Sequence, residues 1–272
     1  MTNQRTNRQS RVRTEREEYS LSDFESELIR FEAGSEKARI LIYGDSNAGK
    51  THLAGTLPGR THWLVCEPGY KTAIRRGCRA TGHRITDTAK ALVAIDWLSA
   101  GNRVERLDWL VVDGVSTMQD RFRLGYAAEA WDRSAGQPRR ARAGRNLPDK
   151  PDYFATQNFL KSWVGMLVDL PVNLLITAHA YRTDRTDNGE LKVFPGFQGK
   201  VDETANAVTG LMDITGYMAD RNDTRKILFR RTTINGIEYV AGDKFGKLPK
   251  VMVAPTMPKI IECIDGEYES EE

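Results

Sequence analysis

The chain has 272 residues, with 40 Lys and Arg against 37 Asp and Glu, a formal net charge of +3, and 40% hydrophobic residues. That is enough apolar material for one large core or two small ones, and no run of 18 apolar residues offers a membrane span. The N-terminal stretch lacks the apolar segment of a secretory signal, and three cysteines (Cys66, Cys78, Cys263) without a CxxC point to a thiol-reduced, cytoplasmic protein.

In chain order, residues 1–20 come first, carrying five Arg and three Glu and almost no large apolar side chain. They read as a disordered basic tail, because they cannot bury enough surface to offset their ordering entropy. A core is expected over 21–258, opening with a helix at 21–31. Ile40–Tyr43 is a short apolar strand, followed by a glycine-containing turn and a helix from about Gly49 to Leu57, stopped by Pro58-Gly59. Trp63–Cys66 is a second strand, ending at Glu67-Pro68-Gly69. Residues 88–99 have helical spacing, with Ala89, Leu92, Val93 and Ile95 mostly on one side. Trp109–Val112 is a third strand, closed by Asp113 and followed by a helix.

Residues 133–150 then hold Arg133, Arg139, Arg140, Arg142, Arg145 and Lys150 against Asp149 alone. Such a stretch is either a solvated surface loop or a contact for a phosphate backbone. A helix over Tyr153–Leu170 and a strand over Val172–Ala178 follow. From about 213 the pattern changes to short strands at Ile214–Met218, Lys226–Arg231 and Gly236–Val240, and an acidic tail is expected over 259–272. The early strands are continuous apolar runs, which suits strands covered on both faces. With helices between them they imply an α/β fold: a central, mostly parallel sheet with flanking helices and an antiparallel C-terminal extension.

Gly44-Asp45-Ser46-Asn47-Ala48-Gly49-Lys50-Thr51 matches G-x-x-x-x-G-K-[ST] in full, between a strand and a helix. Its backbone N–H groups can curl around phosphate oxygens, Lys50 can neutralise the β- and γ-phosphates, and the Thr51 hydroxyl can ligate Mg2+. Asp113 is the natural metal partner of Thr51, the alternative being a cap for the helix that follows. Hydrolysis also needs a group that activates water. Gly114 follows Asp113, so the Asp-Glu pair typical of AAA+ proteins is missing. Glu67, at the mouth of the sheet, is the alternative base unless it is only a turn carboxylate. His62, Cys66, Cys78 and His83 include residue types that bind zinc, but their spacing is wrong and Cys66 falls in a core strand.

The order GDSNAGKT, LVCE, LVVD and NLLITAH resembles the RecA core, and more narrowly the small phage RecA-like single-strand annealing ATPases, over roughly residues 36–255. The resemblance implies a RecA-like P-loop NTPase that uses ATP and Mg2+. It implies that Glu67 activates water, that His179 senses the γ-phosphate, and that two loops at 132–151 and 180–199 bind single-stranded DNA. Arg139, Arg140, Arg142, Arg145, Arg182 and Arg185 would meet phosphates there, and Tyr181, Phe194 or Phe197 would stack on bases. It further implies assembly into a filament or ring, a single-strand DNA-binding protein as a partner, and a lysine finger to the neighbouring subunit's ATP. Lys244 matches one finger lysine, while Gly242 stands where the second would be. The short stretches before the first strand and after Pro255 leave no room for RecA's additional domains. Two other readings fit the same residues: a RecA-type motor, such as a helicase or packaging ATPase, and a nucleotide-gated DNA-binding protein with negligible hydrolysis.

Overall fold

The computed structural model describes residues 36–134, 148–183, 191–197, 203–221 and 224–266. The four apolar runs form strands β1 (Arg39–Gly44), β2 (Thr61–Val65), β4 (Trp109–Asp113) and the first part of β5 (Asn173–Thr183), with β3 (Thr81–Arg84) between β2 and β4 in sequence. Successive side chains of a strand point to opposite faces. Leu41, Tyr43, Leu64, Leu110, Val112, Leu174 and Ile176 therefore enter one core, while Ile40, Ile42, Trp63, Val65, Trp109, Val111 and Leu175 enter another. The runs are continuous because each feeds two cores, and each large apolar side chain so buried contributes about 1.5–3 kcal/mol.

Helices α3 (Thr88–Ser99), α4 (Val115–Ser134), α5 (Lys150–Val168) and α6 (Glu203–Gly210) cover the first core; α1 (Lys50–Ala54), α2 (Lys71–Arg75) and α7 (Met257–Asp265) cover the second. Asp87 caps α3 by accepting from the Lys90 backbone N–H at 2.9 Å, and Asp149 with Asp152 makes a capping box at the start of α5. Six strands run parallel in the order β7-β1-β5-β4-β2-β3, where β7 is Ile214–Arg221. Beyond β7 the sheet continues antiparallel through β8 (Thr224–Leu228) and β12 (Val251–Val253). This is the α/β architecture expected from the sequence.

β5 is longer than its apolar run. Up to His179, which is level with Gly44, it lies beside β1; from Ala180 to Thr183 it leaves that pairing and joins β6 (Leu191–Pro195) in antiparallel register. β6 in turn pairs with β10 (Ile237–Tyr239), which pairs with β9 (Thr232–Ile234), while the short β11 (Gly242–Asp243) lies against β7. The loop turns at the P-loop end of the sheet thus acquire a small second layer of strands.

Two expectations need correcting. In α3 the buried residues are Ala91, Ala94 and Leu98, whereas Leu92 and Val93 are 43% and 62% exposed. The helix is apolar nearly all round, so the larger side chains marked the wrong face. The acidic tail expected from residue 259 instead begins as α7, capped by Thr256, with Met257, Ile260 and Cys263 in the second core. Their helical spacing decides its structure despite the flanking acids. Residues 1–20, the expected helix 21–31, and 267–272 lie outside the described residues. No helix among the described residues is long and apolar enough to cross a membrane.

Candidate nucleotide-binding site

β1 delivers the chain to Gly44, where a Cβ would run into the backbone carbonyl of Met218 on β7. The loop then turns through left-handed conformations at Asn47 (φ 65°) and Gly49 (φ 102°), and Gly49 caps α1. Lys50 is 6% exposed, and its Nζ donates to the carbonyls of Gly44 and Asp45 at 2.9 and 2.8 Å. Burial lowers its pKa, opposed by Glu67, Asp113 and Asp45. A partly desolvated ammonium in a glycine-bearing turn between a strand and a helix is a site for polyphosphate.

Asp113, at the end of β4, is fully buried, and both its carboxylate oxygens lie 3.1 Å from the Thr51 hydroxyl. Thr177 on β5 donates to Oδ1 at 2.8 Å and accepts from the Gly114 N–H at 2.9 Å. Burial raises the Asp113 pKa, while the two hydroxyl donors lower it. Gly69 keeps the space beside this pair open: a Cβ there would be 3.2 Å from Thr51 Oγ1 and 3.8 Å from Asp113 Oδ2. A hydroxyl, a carboxylate and open space fit Mg2+, which Thr51 and Asp113 would hold. When bound it supplies charge neutralisation and alignment to the phosphates.

Glu67 stands beside this group. A side chain at Gly114 would occupy its place, with a Cβ 2.6 Å from Glu67 Cγ, so the glycine after Asp113 makes room for a carboxylate from the neighbouring strand. Thr117, in the first turn of α4, donates to Glu67 Oε2 at 3.0 Å, and His179 Nε2 lies 3.3 Å from the same oxygen. The His179 contact, opposed by burial and aided by Thr117, holds the Glu67 pKa below the usual carboxylate value. An ionised carboxylate oriented by two donors is suited to accept a proton from water. The His179 backbone N–H donates to Ser116 Oγ at 3.0 Å, which fixes the end of β5 to α4.

Lys50, Thr51, Glu67, Gly69 and His179 line a cavity of about 410 Å³ together with Ser46, Asn47, His52 and Arg225. His179 also lines a second cavity of about 550 Å³, with Ser116, Gln157, Tyr153, Tyr181 and Phe197 among its walls. Of the residues expected to meet DNA, Tyr181 is 55% exposed there. Phe194 and Phe197 correct the expectation: they are 4% and 5% exposed in the first core, so no base can stack on their faces. Arg182 reaches back to the P-loop, pairing with Asp45 Oδ2 at 2.9 Å. Arg139, Arg140, Arg142, Arg145 and Arg185 lie outside the described residues. Lys244 is exposed after β11, which pairs with the start of β7, so it sits at the opposite end of the sheet from this chain's own P-loop; its Nζ donates to the Gly210 carbonyl at 2.8 Å. His62 and His83 are bonded ring to ring at 3.0 Å, and Cys66 is buried in the first core.

Sequence reasoning missed Thr117, Thr177 and Arg225. The two threonines look like ordinary helix and strand residues, and Arg225 is one of several charged residues in its hairpin; only tertiary placement distinguishes them.

A parallel sheet with a phosphate loop at its centre, and a Thr–Asp pair beside a poised carboxylate, defines a P-loop NTPase. The AAA domain family matches residues 36–243, and the chain belongs to that family. No curated protein matches the chain.

Proposed function

We propose that the protein is an ATP- and Mg2+-dependent, RecA-like ATPase that binds single-stranded DNA and promotes strand annealing in phage recombination, in the host cytoplasm. The observation that supports this best is the place of His179, which is 3.3 Å from Glu67 and lines both the nucleotide cavity and the cavity of Tyr153 and Tyr181. One side chain can then couple occupancy of the second cavity to the base in the first. In this reading Lys50 and the P-loop amides bind the triphosphate, Glu67 takes the proton of the attacking water, and Tyr181 stacks on a base. The arginines at 139, 140, 142 and 145 meet the DNA backbone together with Arg182 and Arg185. Further copies of the chain assemble on the strand, with Lys244 facing a neighbour's nucleotide, and a single-strand DNA-binding protein shares the DNA.

The test is ATP hydrolysis with and without single-stranded DNA, alongside mass measurement of the assembly. DNA-stimulated turnover that His179→Ala uncouples, with annealing of complementary strands, is the expected result. ATP-driven duplex unwinding would turn the reading to a motor, and negligible turnover in both conditions to a nucleotide-gated binding protein.

A further inference from the structure

The P-loop is flanked on both sides, and only one flank carries the hydrolytic groups. In the strand order β8-β7-β1-β5-β4-β2, His179, Asp113 and Glu67 come from β5, β4 and the end of β2, all on one side of β1. Arg225 comes from β8, on the other side. It pairs across the β7–β8 hairpin with Asp220, whose Oδ2 lies 3.6 Å from Arg225 Nε.

From there the side chain lies along the P-loop. A Cβ on Gly49 would be 2.6 Å from Arg225 Nε and 2.9 Å from Cζ, so the absence of a side chain at Gly49 leaves room for the guanidinium as well as permitting the left-handed turn. Arg225 also lines the nucleotide cavity with Ser46, Asn47 and His52, and its charge, after burial, lowers the His52 pKa. Its side chain is 30% exposed.

In a loop of this type the backbone N–H groups cradle the α- and β-phosphates, while the lysine reaches the β- and γ-phosphates. The guanidinium at Gly49 and His52 is therefore at the α/β end, and Thr51, Asp113 and Glu67 are at the γ end. We infer that Arg225 is a nucleotide-binding residue that contacts the α- and β-phosphates, so that it strengthens binding of nucleoside di- and triphosphates alike. A planar, permanently charged fork held by a carboxylate suits that task better than a lysine would. The inference rests on nucleotide binding by the P-loop and not on the DNA reading.

Binding of ADP and of a nonhydrolysable ATP analogue is measured by calorimetry for the wild type, Arg225→Gln and Arg225→Lys. Removal of a charge-assisted hydrogen bond predicts about 10- to 100-fold weaker binding of Arg225→Gln to both nucleotides. Arg225→Lys regains part of the loss, and in turnover KM rises by more than kcat falls. Should the Gln variant not fold, the Lys variant carries the test through an equal, smaller loss for ADP and the analogue. A loss confined to the triphosphate would overturn the assignment in favour of a γ-phosphate contact. Unchanged binding of both would leave Arg225 as packing for Gly49. A wild type that binds neither nucleotide would instead defeat the P-loop reading itself.

Discussion

Around the P-loop, polar groups are tied to one another: Lys50 to two carbonyls, Asp113 to Thr51 and Thr177, Glu67 to Thr117 and His179. Across His179, in the second cavity, Tyr153 and Tyr181 are 38% and 55% exposed, and the neighbouring Arg182 makes a solvent-exposed ion pair with Asp45 beside a hydrogen bond to Tyr217. Such a pair is worth about 0–1 kcal/mol. The difference between the two regions lies in where precision is needed. Phosphoryl transfer needs atoms held to fractions of an ångström, so its groups are bonded to one another, with Lys50 and Asp113 buried. The DNA surface proposed above would need charge and exposed aromatic faces, and neither requires burial.

Breaking the nucleotide side gives the largest effect. Lys50→Ala removes the ammonium that neutralises the phosphates, and tight ATP binding is expected to vanish, as calorimetry would show. A wild-type affinity would remove Lys50 from the site. Glu67→Gln comes next: binding persists, while turnover falls by roughly 10²-fold or more as expected for loss of a general base. Turnover at the wild-type rate would transfer that role elsewhere.

On the exposed side the expected effects are smaller and have a different signature. Tyr181→Ala is predicted to weaken single-stranded DNA binding by about 1–3 kcal/mol without changing its salt dependence, because stacking releases no counterions. Replacing Arg139, Arg140 and Arg142 together should flatten the salt dependence, by about one counterion for each phosphate no longer neutralised. Titrations of a fluorescent oligonucleotide at several salt concentrations separate the two. If the triple replacement leaves both affinity and slope unchanged, the basic stretch is a solvated loop.

The two regions also differ in how well they were legible in the sequence. The P-loop is eight contiguous residues whose chemistry depends on local backbone, so its spacing suffices to find it. Asp113 and Glu67 were legible because each ends an apolar strand, and parallel strands bring their ends to one edge. Thr177 was not, because a threonine inside LLITA is an ordinary strand residue until β5 is laid beside β4. Phe194 and Phe197 were misjudged for a related reason. They stand in a glycine- and proline-containing stretch that reads as a loop, whereas β6 pairs with β5 and carries Phe194 into the core, and the turn just after it, tied by Gly196 to the His179 carbonyl, buries Phe197 there as well. Positions marked by a motif or by the end of an apolar strand were legible; Thr117, Thr177 and Arg225, which lie inside ordinary-looking elements, were not.

The finest test concerns the joint between the two regions, through the acidity of Glu67. The His179 contact is the largest influence lowering its pKa, Thr117 adds to it, and burial opposes both. The wild-type carboxylate should therefore stay ionised to below its ordinary value, and with Glu67 as the base the acid limb of kcat/KM, which reports the free enzyme, is expected to lie correspondingly low. Thr117→Val removes one donor at nearly constant volume, and His179→Phe removes the stronger one, leaving Thr117 and the Lys50 charge to oppose burial. The sign follows directly: a raised carboxylate pKa means protonation begins at higher pH, so the acid limb moves upward, further for His179→Phe than for Thr117→Val. The same linkage acts on stability. The depressed Glu67 pKa contributes stabilisation that is present above the unfolded-state value and lost as pH falls through the folded one, so both variants should lose less stability across that window than the wild type. Carbon-13 titration of the Glu67 carboxyl in each variant reads the shift independently of turnover. An acid limb and a carboxyl titration that stay in place in both variants would show that neither Thr117 nor His179 tunes the base, and the second cavity would then have no route through His179 to the chemistry.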